Sequence, residues 1–129
     1  MAKTTNKTPK APQPPQGGWH ASVAPTLAAI EVRKGKPKAA EYVLTHGTAR
    51  IGLYAPRGSD PQQPHEQDEV YVVARGSGVL VNGDDERAFG PGDMLFVPAG
   101  VVHRFERFSD DLALWVVFYG PAGGEGAKR

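Results

Sequence analysis

Short apolar runs separated by glycine, proline and asparagine turns are the feature that most limits what this chain can fold into. The runs cover residues 41–45, 48–54, 70–74, 79–81, 94–97, 101–108 and 112–119. The dipeptide Asn82-Gly83 suits the positive φ angles of a type I′ hairpin turn, and Ala88 and Phe89 would lie on the returning strand. Many short strands with regular turns are typical of an antiparallel β-barrel or sandwich. The sequence therefore predicts an all-β fold with a single small barrel.

The two ends of the chain have a different composition. Residues 1–18 are rich in proline and lysine, which predicts a disordered leader, and residues 121–129 are predicted to form a flexible tail. Residues 19–120 would then form the barrel domain, with Trp19 docking at its start. Residues 26–33 could form a short helical turn or an edge strand, because periodicity alone does not decide between them.

The absence of cysteine among the 129 residues restricts the chemistry. It excludes disulfides, thiolate metal sites and a cysteine nucleophile, so histidine, carboxylate and amide groups remain as metal donors. The first residues lack the apolar core of a secretion signal, and no later apolar run reaches membrane-spanning length, which predicts a soluble cytoplasmic protein. With a net charge of +1 and no groove-reading motif, neither nucleic acid nor a membrane is an expected partner.

Candidate metal donors lie in two stretches. His65 and Glu69 precede the run 70–74, and His103 follows a turn further along. His65 and Glu69 would be about 13 Å apart in an extended chain, so they can share an ion only if residues 66–68 bend. Two imidazoles and one carboxylate in an apolar interior would form a two-histidine, one-carboxylate metal site. An ion pair between Glu69 and His103, with His65 at the surface, fits the same spacing, and the pattern leaves both open.

The two stretches resemble the two motifs of the cupin family. The resemblance is carried by His65, Glu69, Gly76, Gly92, Pro98, Gly100 and His103. It covers about residues 42–119 and implies a cupin barrel, which is a double-stranded β-helix of the jelly-roll kind and is usually homodimeric. It also implies one divalent transition metal, such as Fe, Mn, Ni or Zn, held by His65, Glu69 and His103.

Two positions depart from the family's pattern. Gln63 stands where the first cupin motif usually has a histidine, and Arg107 stands where the second usually has an asparagine. Gln63 is then a weaker fourth donor, and Gln67 is an alternative amide donor if the turn runs differently.

Two functions fit a metal-centred barrel of this kind. One is a metal-dependent enzyme, an oxidoreductase of the dioxygenase kind or an isomerase, that acts on a small oxygen-bearing molecule. The alternative is a non-catalytic module that binds or senses a small molecule or a metal. Pocket candidates are Arg50, Tyr54 and His46, with Tyr71 and Phe105 as apolar walls. Strand alternation does not reveal which face of each strand is inside.

Overall fold

The computed structural model describes residues 18–32 and 39–126, and in these ranges the chain forms one helix and eight strands. Helix α1 covers Val23–Glu31, and the strands are β1 Ala40–His46, β2 Ala49–Tyr54, β3 Asp68–Arg75, β4 Gly78–Asn82, β5 Asp85–Phe89, β6 Met94–Val97, β7 His103–Glu106 and β8 Ala113–Tyr119. Neighbouring strands pair antiparallel. The all-β prediction is confirmed, and the stretch that could have been helix or strand is a helix. That helix is too short to cross a bilayer, and the described residues contain no other.

Two sheets enclose the core. The larger has the order β1-β2-β8-β3-β6 and the smaller the order β5-β4-β7, and the two do not close into one continuous barrel. The core takes inward-facing side chains from both sheets: Tyr71, Val73, Leu80, Phe89, Val97, Phe105, Leu112, Leu114, Val116 and Phe118. Burying one such side chain stabilises the fold by about 1.5–3 kcal/mol. The apolar residues that alternate along the strands therefore face inward and form the core between the two sheets.

Helix α1 packs against the outer face of the larger sheet. Ile30 contacts a cluster formed by Leu53, Ala55 and Ala113. The prediction of a buried strand at 94–97 is only half correct, because β6 is an edge strand whose outer side the helix does not reach. Val97 is buried, whereas Met94 is 64% exposed. Trp19, predicted to dock on the domain, is 80% exposed.

The β4–β5 hairpin is confirmed, but its turn lies one residue later than predicted. Asn82 pairs with Asp85, so the two loop residues are Gly83 and Asp84. Gly83 has a φ of 63°, and glycine at the first loop position is typical of a type II′ turn.

The C-terminal segment follows the domain surface beyond residue 120. The Gly123 amide donates a hydrogen bond to the Glu66 carbonyl oxygen (2.8 Å), and the Glu125 amide donates one to Asp68 Oδ2 (2.8 Å). The flexible tail expected from residue 121 therefore has these contacts as far as residue 125. Apart from Gly18, the leader predicted for residues 1–18 lies outside the described residues, as do residues 127–129.

Candidate metal centre

Both sheets contribute to a cluster of histidine and carboxylate side chains. Glu69 lies near the start of β3, paired with Val97 on one side and Phe118 on the other, and its side chain is completely buried. His103 begins β7 in the opposite sheet and is 2% exposed. The half-buried His65 lies in the loop before β3, where its carbonyl oxygen accepts a hydrogen bond from the Gly100 amide (2.7 Å). This bond joins the two stretches that the sequence singled out.

The three predicted ligands come together. Their ligand atoms all lie within 4.8 Å of one another. His103 Nε2 is 2.8 Å from Glu69 Oε1, and His65 Nε2 is 3.9 Å from Glu69 Oε2. The chain bends at residues 66 and 67, as the shared site required, and enters β3 at Asp68.

The direction of the His103 ring is fixed by its backbone. Nδ1 lies 2.9 Å from the Val101 carbonyl oxygen, which can only accept, so Nδ1 carries the proton. The Nε2 atom of a neutral imidazole then presents its lone pair to the cluster, as a metal ligand must.

Within the described part of the chain, the Glu69 carboxylate is buried without the hydrogen-bond donors that a buried charge normally has. Neither oxygen accepts a well-directed hydrogen bond from the described residues, although Oε1 lies at ion-pair distance from His103. A buried carboxylate in this state is costly unless a cation compensates it. Two imidazole nitrogens and one carboxylate suit a divalent transition metal, so the residues fit such an ion.

Without a metal ion, the two imidazoles differ in their proton affinity. Burial by itself lowers the pKa of His103, but the adjacent Glu69 carboxylate and the hydrogen bond to the Val101 carbonyl outweigh burial, and the net pKa is raised. Burial lowers the pKa of His65, and the attraction of Glu69 only partly opposes this. His103 therefore holds a proton more tightly than an ordinary histidine does, and His65 holds one less tightly.

Gln62, which no sequence pattern indicated, reaches into the cluster. Its Oε1 lies 3.0 Å from His103 Nε2, 3.2 Å from His65 Nε2 and 3.2 Å from the Tyr71 hydroxyl. The two amides that the sequence favoured lie elsewhere: Gln63 is exposed, and Gln67 donates from Nε2 to the Thr48 (3.1 Å) and Gly120 (2.9 Å) carbonyl oxygens. Gln62 sits in a loop, where no strand alternation could have indicated its direction.

The pocket candidates separate in the structure. Arg50 and His65 together line a cavity of about 370 Å³. The guanidinium carbon of Arg50 lies 4.5 Å from the centre of the Tyr42 ring and 5.0 Å from that of Phe118. His46 is exposed at the end of β1 and is not among the residues that line this cavity.

Tyr54 is linked to the cluster through Asp60. Its hydroxyl donates a hydrogen bond to Asp60 Oδ1, and its ring packs on Phe105. Burial and this hydrogen bond raise the pKa of Tyr54, so it remains a phenol and a donor. Tyr71 and Phe105 are buried as expected of apolar walls, and the Tyr71 hydroxyl points to Gln62.

Comparison with known proteins places these features in context. A family model described as a cupin domain matches residues 50–119. An uncharacterized protein of Streptomyces coelicolor is 42% identical over 73 residues, which are 55% of this chain and 70% of that protein.

Solved structures show the same fold. A protein from Neisseria meningitidis has a TM-score of 0.63 at 21% identity, and the match covers 79% of this chain and all of the other. A Ralstonia eutropha protein provisionally named a mannose-6-phosphate isomerase has a TM-score of 0.55 at 26% identity, with 70% of this chain and 93% of that one covered. The family match includes His65, Glu69 and His103.

Proposed function

Because the chain belongs to the cupin domain family, we propose that it is a metal-dependent enzyme, of the dioxygenase or isomerase kind, that acts on a small oxygen-bearing molecule. His65, Glu69 and His103 would hold one divalent transition metal ion, for which Fe, Mn, Ni and Zn are all suitable. The observation that carries the proposal is the fully buried Glu69 carboxylate, which faces two imidazole nitrogens and has no well-directed hydrogen bond from the described residues. When bound, the ion supplies Lewis-acid or redox chemistry.

In the cavity beside His65, which Glu66 also lines, Arg50 offers a cation to an anionic substrate group. Arg50 is a cation resting on the Tyr42 and Phe118 rings, and no ion pair joins it to another described residue. A guanidinium held on aromatic faces can bind a carboxylate or phosphate through paired N–H groups. The name of the Ralstonia protein, which refers to a sugar phosphate, agrees with an anionic, oxygen-rich substrate.

This chain's own residues would orient such a substrate and limit water. Arg50 binds the anionic group at the cavity, and the half-buried His65 belongs both to the lining of the cavity and to the cluster. Phe118 and the buried Tyr71 provide apolar surroundings in which charge interactions are stronger than in water. We further propose that the protein is a homodimer in the cytoplasm. A protein without cysteine has no disulfide that the reducing conditions there could break.

The metal content of protein purified without a histidine tag tests the site. We expect nearly one equivalent of metal in the parent and loss of metal in His65→Ala and His103→Ala. His46→Ala, which removes an exposed histidine outside the cluster, is the matched control and should keep its metal. Equal content in all four proteins, or none in the parent, would overturn the proposed centre.

Turnover separates an enzyme from a binding module. Iron- and manganese-loaded protein is mixed with small carboxylates, sugar phosphates, diketones and catechols. Oxygen uptake reports a dioxygenase, and NMR of the unlabelled substrate reports an isomerase. Conversion that disappears in His103→Ala would support the enzyme, whereas tight binding without conversion would support the non-catalytic alternative.

A further inference from the structure

We infer that Gln62 is the fourth metal ligand of this protein, through Oε1, and that Asp60 is the positioning residue that turns this oxygen towards the ion. The inference rests on the metal centre proposed above. It replaces Gln63, the position at which the family's pattern would place the fourth donor.

Asp60 dictates the orientation of the Gln62 amide. Asp60 is 9% exposed, and its Oδ2 accepts hydrogen bonds from Gln62 Nε2 (2.6 Å) and from the Phe105 amide (2.8 Å), while Oδ1 accepts from the Tyr54 hydroxyl. A carboxylate can only accept hydrogen bonds, so the amide group that faces it must be the NH₂. The carbonyl oxygen of Gln62 must then face the opposite side, which is the cluster.

The distances from Gln62 Oε1 to the two imidazole nitrogens match those between ligands of one ion. Donors bound at about 2.1 Å are about 3.0 to 3.4 Å apart when the angles between them are octahedral or tetrahedral. Gln62 Oε1 lies 3.0 Å from His103 Nε2 and 3.2 Å from His65 Nε2.

The chemistry of these atoms also calls for a cation. His103 Nε2, Glu69 Oε1 and Gln62 Oε1 are all acceptors when the imidazole is neutral. The Tyr71 hydroxyl, which donates to Gln62 Oε1, brings a single proton to these three atoms. Lone pairs that converge in a buried site repel one another unless a proton or a metal ion lies between them. The amide oxygen of Gln62 therefore completes a set of two nitrogens and two oxygens.

Titration of metal-free protein with Co²⁺ tests the ligand, because the visible spectrum of bound Co²⁺ changes with its ligands. Gln62→Leu removes the amide while keeping a similar volume, and Gln63→Leu makes the same change at the exposed neighbour. We expect Gln62→Leu to weaken Co²⁺ binding by at least about tenfold and to alter the spectrum. Gln63→Leu should match the parent in both respects.

The possible failures are distinguishable. If the parent binds Co²⁺ and Gln62→Leu reproduces its affinity and spectrum, the inference is wrong and the three-residue centre stands. If Gln63→Leu shows the larger change, the family's usual position holds the ligand and the inference is also wrong. If the parent binds no Co²⁺, both the proposed centre and the fourth ligand are overturned.

A double-mutant cycle tests the role of Asp60. Asp60→Ala should weaken Co²⁺ binding by about ten- to hundredfold in the parent but have little further effect when Gln62 is already Leu, because Asp60 acts through that amide. Asp60→Asn keeps one acceptor oxygen for Gln62 and should restore most of the affinity. If Asp60→Ala fails to fold, Tyr54→Phe, which removes one partner of Asp60, replaces it in the cycle. Equal losses with and without Gln62 would show that Asp60 does not position the ligand.

Discussion

At the scale of the residue, the backbone of Arg107 has an unusual conformation. Its φ of 51° is the one positive value among the non-glycine residues that the structure describes. A side chain other than glycine or asparagine is strained in this region. Arg107 is the position at which the cupin family, by resemblance, usually has asparagine. Its guanidinium pairs with Glu86 at 2.9 Å, but exposed ion pairs contribute little to stability.

Arg107→Asn should therefore raise the free energy of unfolding by about 0.5–1 kcal/mol. Asparagine tolerates the left-handed region, and the arginine side chain of the two lost ion pairs, with Glu86 and Glu106, is exposed. Urea denaturation of the metal-free protein measures the change. Arg104→Asn, an exposed arginine within the regular strand β7, is the control and should lower stability. A loss of stability in Arg107→Asn would show that the ion pairs outweigh the backbone strain.

The ligands differ in how far the sequence could predict them. Glu69 and His103 lie at strand positions whose neighbours alternate in burial, and His65 lies four residues before Glu69, so the spacing selected all three and the resemblance to two motifs supported them. Gln62 and Gln63 are identical residues in a loop between two prolines, where no period distinguishes an inward from an outward side chain. The hydrogen bond with Asp60, which forms only when the whole loop folds, is what distinguishes Gln62 from Gln63 as the candidate ligand.

At the scale of the element, Asp68 connects three segments. It is the first residue of β3 and is 6% exposed. Oδ1 accepts a hydrogen bond from the Ala99 amide (2.9 Å) in the turn between β6 and β7, and Oδ2 accepts one from the Glu125 amide (2.8 Å). The sequence predicted only that the chain bends at residues 66–68. The side chain holds the β6–β7 turn and the C-terminal segment against the strand that carries Glu69.

Asp68→Ala should lower the free energy of unfolding by about 2–4 kcal/mol, because hydrogen bonds to a buried charged group contribute about 1.5–3 kcal/mol each and are only partly replaced by water. Chemical denaturation monitored by tryptophan fluorescence measures the loss. Asp84→Ala in the exposed β4–β5 turn is the control and should change stability by less than about 0.5 kcal/mol. Equal midpoints for the two variants would contradict this role of Asp68.

Some elements were predictable because their residue pattern is typical of only one type of secondary structure. Strands β1 to β8 follow from alternation and turn residues, which are local properties. The sequence did not decide whether the α1 segment is a helix or a strand, because its apolar residues fit both the helical and the strand period. Packing against Leu53 and Ala113 favours the helix. The exposed side of β6 was missed because exposure depends on the position of the strand at the sheet edge.

At the scale of the whole molecule, the outer face of the larger sheet is apolar beyond the reach of α1. Val72 pairs with Met94, and Val70 pairs with Phe96, so these four side chains lie together on one face. Val72, Met94 and Phe96 are 39%, 64% and 43% exposed. Trp115, opposite Val72 on β8, connects them with the side chains packed under the helix.

A second copy of the chain is the occupant we expect on this face, since an exposed apolar patch on a sheet with a free edge strand is typical of an interaction surface and cupins, by resemblance, are usually homodimers. Light scattering coupled to gel filtration should give the mass of a dimer for the parent and of a folded monomer for Phe96→Lys. Val102→Lys, at a 60% exposed valine outside the patch, should remain dimeric. A parent that elutes as a monomer, or a Phe96→Lys variant that stays dimeric, would rule out this face as the dimer interface. A monomeric Phe96→Lys that still binds one equivalent of metal would further show that the centre between the sheets is complete within a single chain.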